Sequence, residues 1–360
     1  MIRFVIQRLG YGMLVLLGVI IVIFFLFNIL PGDPARMMLG QRADSASVAN
    51  LRKELGTDKP LPLQFAAYLN DLSPVSFHSC GNPSSSFRYD TLKYGNPLLL
   101  LSVKKFSVAV KYPCLRRSYQ TQRNVSELLF ESFINTFILA LVSMFFALIA
   151  GISIGIVCAL YKNSFIDRIS LVFSVLGMSL PSFFAAILNA WIFAFVLAGI
   201  THLNMAGSLY SVDDLGNGEY LNLKNLILPA FTLGIRPLAV IVELTRNSML
   251  EVLSQDYIRT ARAKGLSQSR IILGHALKNA MNPVVSAATG WLASLLSGAV
   301  FVEYVFDWKG IGLVIVNALD KYDFPVIMGA VLFISVILII INIMADILYG
   351  ILDPRVRIRT

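Results

Sequence analysis

Residues Phe133 to Tyr161 read FINTFILALVSMFFALIAGISIGIVCALY, with no Asp, Glu, Lys or Arg among them. About 20 apolar residues are enough for a helix to cross a bilayer. A helix apolar on every face is buried in a large core or in lipid, and an uncharged run of 29 residues selects lipid by its length. The segment predicts a transmembrane helix, and the rest of the chain is read around it.

Five more apolar stretches accompany it. Leu9 to Leu30 carries no charge, and Ile169 to Ile200 is interrupted by Pro181 and Asn189. Leu226 to Thr245 holds Arg236 and Glu243. Met281 to Val302 and Phe324 to Gly350 complete the set, the last with Asp346 near its end. Over the 360 residues, 56% are hydrophobic and 14% charged, against roughly a quarter charged in soluble domains. That balance excludes a disordered chain and argues against a soluble enzyme. Three His and three Cys do not suggest a cluster of metal ligands, and no cofactor is expected. A formal charge of +9 would point to nucleic acid in a soluble protein. Here the basic residues are read against the bilayer, and no nucleic-acid partner is expected.

The first stretch follows Arg3 and Arg8, as a signal peptide would. A signal core is about 7–15 residues with a small-residue cleavage site. This run is 22 residues long, and Pro31-Gly32-Asp33-Pro34 follows it, so it predicts a retained helix. Sidedness follows from Lys and Arg in short loops. With the N-terminus inside, the cytoplasmic segments hold Arg3, Arg8, Lys162, Arg168, Arg246, Arg259, Arg262, Lys264, Arg270, Lys278, Arg355, Arg357 and Arg359. The short external loops hold Lys224, Lys309 and Lys321, a ratio of thirteen to three. The loop from Pro31 to Phe130 is basic too, but loops that long translocate largely regardless of charge.

The expected fold class is an all-α polytopic membrane protein. Six transmembrane helices have a long periplasmic loop after the first and a cytoplasmic loop between the fourth and fifth. The organisation is 1–30 for the N-terminus and first helix, 31–130 for the external loop, 131–350 for five further helices, and 351–360 for a cytoplasmic tail. Within the external loop, Ser47 to Leu55 predicts a short helix stopped by Gly56, and Leu63 to Leu72 another. Residues 73 to 97 are rich in Ser, Pro, Gly and Asn and read as turns. Val103 to Tyr112 alternates like an edge strand. Cys80 and Cys114 share this loop, where an oxidising compartment permits a disulfide without the sequence requiring one. Cys158 lies within a span and reads as packing.

The informative cytoplasmic segment is SMLEVLSQDYIRTARAKGLSQSRIILGHALKNAMNP, Ser248 to Pro283, within a loop bounded at 246–283. It reads as two short helices broken at Gly265, with Ser267 available as the next N-cap. Ile258 and Ala261, with Leu253 and Ala263, give a small apolar surface ringed by Arg259, Arg262 and Lys264. A solvated connector and a membrane-surface helix are the plain alternatives. Small alanines favour close approach by another surface over lipid insertion.

The run Asp256-Tyr257-Ile258-Arg259-Thr260-Ala261-Arg262-Ala263-Lys264-Gly265-Leu266, followed by His275-Ala276-Leu277 and Asn279-Ala280, resembles the cytoplasmic coupling loop of bacterial ABC-importer permeases of the peptide/nickel branch, the dipeptide/oligopeptide permease type. Against the general pattern E-A-A-x3-G, x9, I-x-L-P, Ala261, Gly265 and Leu277 match. Arg259, Thr260 and Lys278 replace the Glu, the first Ala and the Pro. Further matches are Leu30-Pro31-Gly32-Asp33-Pro34, Leu51 to Gly56, Pro60 to Gln64, Ser118-Tyr119 with Val125 to Leu128, and Leu180-Pro181-Ser182-Phe183. Glu303, Phe306, Gly310 and Gly312 follow the fifth span, with Lys309 where that motif usually has Pro. Asn342, Asp346, Tyr349 and Asp353-Pro354-Arg355 lie at the C-terminus. Residues 74 to about 114 match nothing in the pattern and read as an insertion.

The resemblance implies an inner-membrane permease subunit, and with it several partners. These are a homologous second permease chain forming a heterodimer, ABC-type ATPase subunits, and a periplasmic or lipid-anchored solute-binding protein. It implies that the helix carrying Asp256, Tyr257, Arg259, Thr260, Ala261, Arg262, Ala263, Lys264 and Gly265 docks in a groove of the ATPase. The chain has no G-x-x-x-x-G-K-[ST] loop, so ATP is expected to be hydrolysed by a partner. Peptides are the expected cargo, with nickel chelates, glutathione-like molecules and other small polar solutes sharing the architecture. Two other classes make different demands on the sequence. A secondary transporter or channel wants paired broken helices or inverted repeats with midplane charge. A membrane enzyme wants convergent carboxylates, His or Ser near the midplane. Charges inside spans are functional candidates by default. Glu243 is expected to pair with Arg246, Asp346 with a base of the tail, and Asn189 is a candidate for lining a polar pathway. Gly151 and Gly155 suit close helix packing. His202, at an external boundary, reads as an interface residue, and His275 as structural.

Overall fold

The computed structural model describes residues 2–29, 34–39, 44–55, 57–79, 98–103, 106–212 and 218–352. It divides into two compact units. One comprises Met1–Leu9, Ser132–Leu313 and Val336–Thr360, the other Gly10–Glu131 and Val314–Ser335.

In chain order the elements are α1 (Ile2–Ile29), α2 (Pro34–Leu39), α3 (Ser45–Leu55), α4 (Leu61–Leu72), β1 (Val75–Ser79), β2 (Leu98–Val103), β3 (Phe106–Val110), α5 (Val125–Leu160), α6 (Phe165–Ser179) and α7 (Ser182–Asn189). There follow α8 (Ala198–Thr201), β4 (Tyr210–Val212), β5 (Glu219–Leu221), α9 (Lys224–Leu253), α10 (Asp256–Ala263), α11 (Gln268–Arg270), α12 (Leu277–Gly298), α13 (Val300–Val305), α14 (Ile311–Asp320) and α15 (Phe324–Leu352). Two π-helical stretches, Ala190–Val196 and Ile271–Ala276, continue α7 and α11.

Among the described residues four helices are long and apolar enough to cross a membrane: α1 over Ile6–Phe27, α5, α9, and α15 over Phe324–Ile347. A fifth results if the bent pair Phe165–Ser179 and Ser182–Val196 counts as one span. The predicted third span is therefore more than bent at Pro181. It is two helices turned by 113°, because Leu180 is extended (φ −71°, ψ 130°) and Pro181 caps the next helix. The residue before a proline is steered away from helical geometry.

The all-α expectation needs correction. The unit comprising Gly10–Glu131 and Val314–Ser335 contains an antiparallel sheet in the order β1-β3-β2, and in the other unit β4 pairs with β5 near the start of α9. Val75–Ser79, read as turn, is a strand, and Phe106–Val110 is the central strand, not an edge. Alternation alone reports one face turned inward; it does not count neighbours. In the unit that holds this three-stranded sheet, Phe24 of α1 packs on Phe65 and Tyr68 of α4, at ring-centroid distances of 5.0 and 5.7 Å. Met328 and Leu332 extend that cluster. Arg116 pairs with the buried Asp71 at 2.9 Å and lies over the Tyr68 ring.

In the other unit the core is built around α5 and α9. Backbones approach so closely that a Cβ on Gly155 would lie 2.6 Å from Thr245 Cβ, and one on Gly151 2.7 Å from Ile241 Cγ2. The glycines at 151 and 155 therefore perform the close packing expected of them. Cys158 is fully buried in a helix interior, as expected of a packing residue. Asn189 is buried too and donates to Thr232 Oγ1 at 3.0 Å, so it meets a partner on α9.

Candidate coupling interface

The segment after α9 turns at Ser254 and enters α10 from an extended Gln255. Asp256 in the first turn and Arg262 in the last complement the helix dipole. The helix ends in a Schellman motif. The Gly265 amide donates to Arg262 O (2.9 Å) and the Leu266 amide to Ala261 O (3.4 Å). Gly265 has φ +77°, the left-handed conformation that glycine adopts without a Cβ penalty. The break at Gly265 is thus where the sequence put it. Ser267 holds the N-cap position of α11 in extended geometry, but its side chain makes no capping bond.

Helical spacing then sorts the side chains. Ile258 and Ala261 point inward, 0% and 7% exposed, against Ala159, Met249, Ile271, Ile272, Ala276 and Ala280. Leu266 joins this cluster from just past the cap. The opposite face leaves Asp256, Tyr257, Arg259, Thr260, Arg262, Ala263, Lys264 and Gly265 exposed. The structure therefore brings the candidate residues together on one eight-residue helix and its cap, but it divides them. Ala261, expected to face a partner, is committed to this chain's own packing.

The base of this helix is tied to α12. Asn279 Nδ2 donates to Tyr257 Oη at 2.9 Å and to His275 O at 3.0 Å. The carboxylate partner of Arg246 is not Glu243 but Asp167, contacted through Nε (2.5 Å) and Nη2 (2.8 Å). Asp167 also accepts from the Asn163 amide, while Ser164 caps its helix by accepting from the Asp167 amide. Asp167 and Arg246 side chains are 2% and 13% exposed, so this fork joins the start of α6 to α9 out of water. Asp346 pairs with Arg8 at 3.1 Å; the tail bases expected for it lie outside the described residues, as does Cys80.

The motif after the fifth apolar stretch forms a second polar centre. Glu303 is fully buried. Its Oε1 accepts from Thr136 Oγ1 at 2.7 Å and its Oε2 from the Gly312 amide at 2.6 Å. Thr136 Oγ1 in turn accepts from the Ile311 amide at 2.9 Å. A Cβ on Gly310 would collide with the carboxylate, so the glycine makes room for it. At the Pro-to-Lys departure, the Lys309 amide donates to Ser208 Oγ at 3.3 Å, a bond that proline has no hydrogen to make.

The profile described as "Binding-protein-dependent transport system inner membrane component" matches residues 151–358, and the corresponding N-terminal profile matches residues 1–95. The chain belongs to this family. The permease is 33% identical to "Dipeptide transport system permease protein DppB" of Alkalihalophilus pseudofirmus over 99% of this chain and 100% of the relative. It is also 33% identical to "Glutathione transport system permease protein GsiC" of Salmonella choleraesuis over 99% of each. Its fold is similar to that of the MetNI methionine ABC transporter in inward-facing form, with TM-score 0.50 and 18% identity over 63% of this chain and 97% of that one. The permease is the multi-pass inner-membrane subunit of an ABC importer, and it works with a separate ATPase and a binding protein.

Sequence reasoning located α10 and its cap but missed three partners. Asp167 and Thr136 sit 79 and 167 residues from the charges they meet, and no local pattern announces such pairings. Met178, whose backbone carbonyl accepts from Arg236, is apolar by side chain and gives no polar signal.

Proposed function

We propose that the permease forms one half of a translocation path for short peptides or related small polar solutes, a homologous permease chain supplying the other half. The names of the dipeptide and glutathione relatives support this cargo class. In this reading six spans are formed by α1, α5, the α6–α7 pair, α9, α12 and α15. Both termini and α10 are cytoplasmic, as the thirteen-to-three basic bias suggests. A Cys80–Cys114 bridge in the external loop belongs to the same reading, and linked peptides in unreduced digests test it.

The observation that carries the proposal is the two-faced character of α10. One face is sewn to the permease's own helices through Ile258 and Ala261, and the other presents Thr260 and Ala263 bare between Arg259, Arg262 and Lys264. A helix fixed on one side and open on the other transmits motion from whatever docks on it. The test is reconstitution of the permease with its second permease chain, ATPase and binding protein in vesicles. Uptake of labelled dialanine or glutathione should require both ATP and the binding protein. Uptake driven by an ion gradient without the ATPase contradicts the reading.

A further inference from the structure

Arg236 is the charge that the coupling interface leaves unexplained. It lies twelve residues into the 30-residue α9, about 18 Å along the helix at 1.5 Å per residue, and therefore deep within an apolar segment. Its side chain is exposed, and among the described residues it forms no ion pair. Glu243, two turns further on, is out of reach.

What Arg236 does contact is Met178 O, through Nη2 at 3.3 Å. In an unbroken helix that carbonyl accepts from the amide four residues on, Ser182. The turn of 113° at Leu180–Pro181 takes Ser182 into a different helix, and the guanidinium takes the vacated place. One of its five donors is so used, and the side chain as a whole is exposed. Phe183, two residues past Pro181, is also 47% exposed. A guanidinium facing lipid at this depth is costly. Broken helices at mid-membrane are where transporters expose polar groups to a path.

We propose that Arg236, held by the broken α6–α7 pair, is a carboxylate-binding station on the translocation path. It takes an anionic group of the cargo in passage. The proposal rests on the permease reading above. Its geometry suits a carboxylate because the planar fork of donors matches two carboxylate oxygens. A carboxylate of the second permease chain offers the same chemistry, and the experiment separates the two.

The complete importer is reconstituted with Arg236→Lys, Arg236→Gln and, in a background lacking Cys80, Cys114 and Cys158, Arg236→Cys. Gln keeps a donor for Met178 O while removing the charge, so a merely structural capping role survives it. The expected result is assembly of every subunit in Arg236→Gln with uptake of dialanine lower by about tenfold or more, the scale of a lost charge-assisted hydrogen bond. Arg236→Lys should retain most uptake. Arg236→Cys should react with a hydrophilic, membrane-impermeant thiol reagent, and dialanine delivered by the binding protein should slow that reaction. Uptake by Arg236→Gln equal to the parent's, or an unreactive Cys, overturns the station. Loss of the second permease chain from the Arg236→Gln complex assigns the guanidinium to a subunit contact and also overturns it. Absence of the ATPase from the parent complex would instead count against the permease reading.

Discussion

Glu303 has two carboxylate oxygens and donors on both, Thr136 on one and Gly312 on the other. Glutamine supplies one acceptor oxygen and one NH₂, so Glu303→Gln keeps the Gly312 bond but makes the Thr136 hydroxyl turn from donor to acceptor, giving up its 2.7 Å bond to the carboxylate. The expected loss is about 1–3 kcal/mol, read as a lower thermal unfolding midpoint in detergent. Gly312→Ala should be worse, since its Cβ has no room beside Val300 and the Glu303 carboxylate. At Gly265 the backbone decides instead of space. With φ +77° and open surroundings, Gly265→Val forces a β-branched residue into left-handed geometry at roughly 1–3 kcal/mol, and Gly265→Asn should be milder. Both positions were visible in the sequence, for different reasons. A glycine after a basic helix announces its own cap. Glu303 stood out by resemblance, but its partner Thr136 lies inside an uncharged span where a hydroxyl carries no visible signal.

At the scale of elements, the Asp167–Arg246 fork joins two helices that the sequence separates by 79 residues. Removing Arg246 leaves the buried Asp167 carboxylate without its charge partner, at about 3–5 kcal/mol, whereas removing Asp167 leaves a partly exposed guanidinium and should cost less. Asp167→Ala and Arg246→Ala should each lower the yield of folded permease. Their double mutant should lose less than the sum, and size-exclusion profiles with thermal midpoints measure this. The local i,i+3 spacing of Glu243 and Arg246 suggested another pairing, because spacing sees only one helix and the fork is set by packing. The 113° turn was legible as a proline and illegible as an angle. The sheet was less legible still. Strand β3 alternates, but a run rich in Ser and Pro gave no sign that Val75–Ser79 would join it.

Across the whole molecule, apolar run length made the membrane class legible, since lipid thickness acts on composition directly. Hidden was the direction in which each face of α10 points, because periodicity names a face but not its neighbour. Topology is tested by external labelling of intact cells: Thr121→Cys should react with an impermeant thiol reagent and Ser267→Cys should not.

The division of α10 into an inner and an outer face is the centre of this account, and site-directed photocrosslinking in the assembled importer tests it most directly. A photoreactive residue is placed in turn at Thr260, Ala261 and Ala263. Thr260 and Ala263 should yield crosslinks to the ATPase subunit, while Ala261, buried against Ile271 and Ala276 of its own chain, should not. If the ATPase co-purifies and neither Thr260 nor Ala263 crosslinks to it, α10 is not the coupling element and the account is wrong at its core.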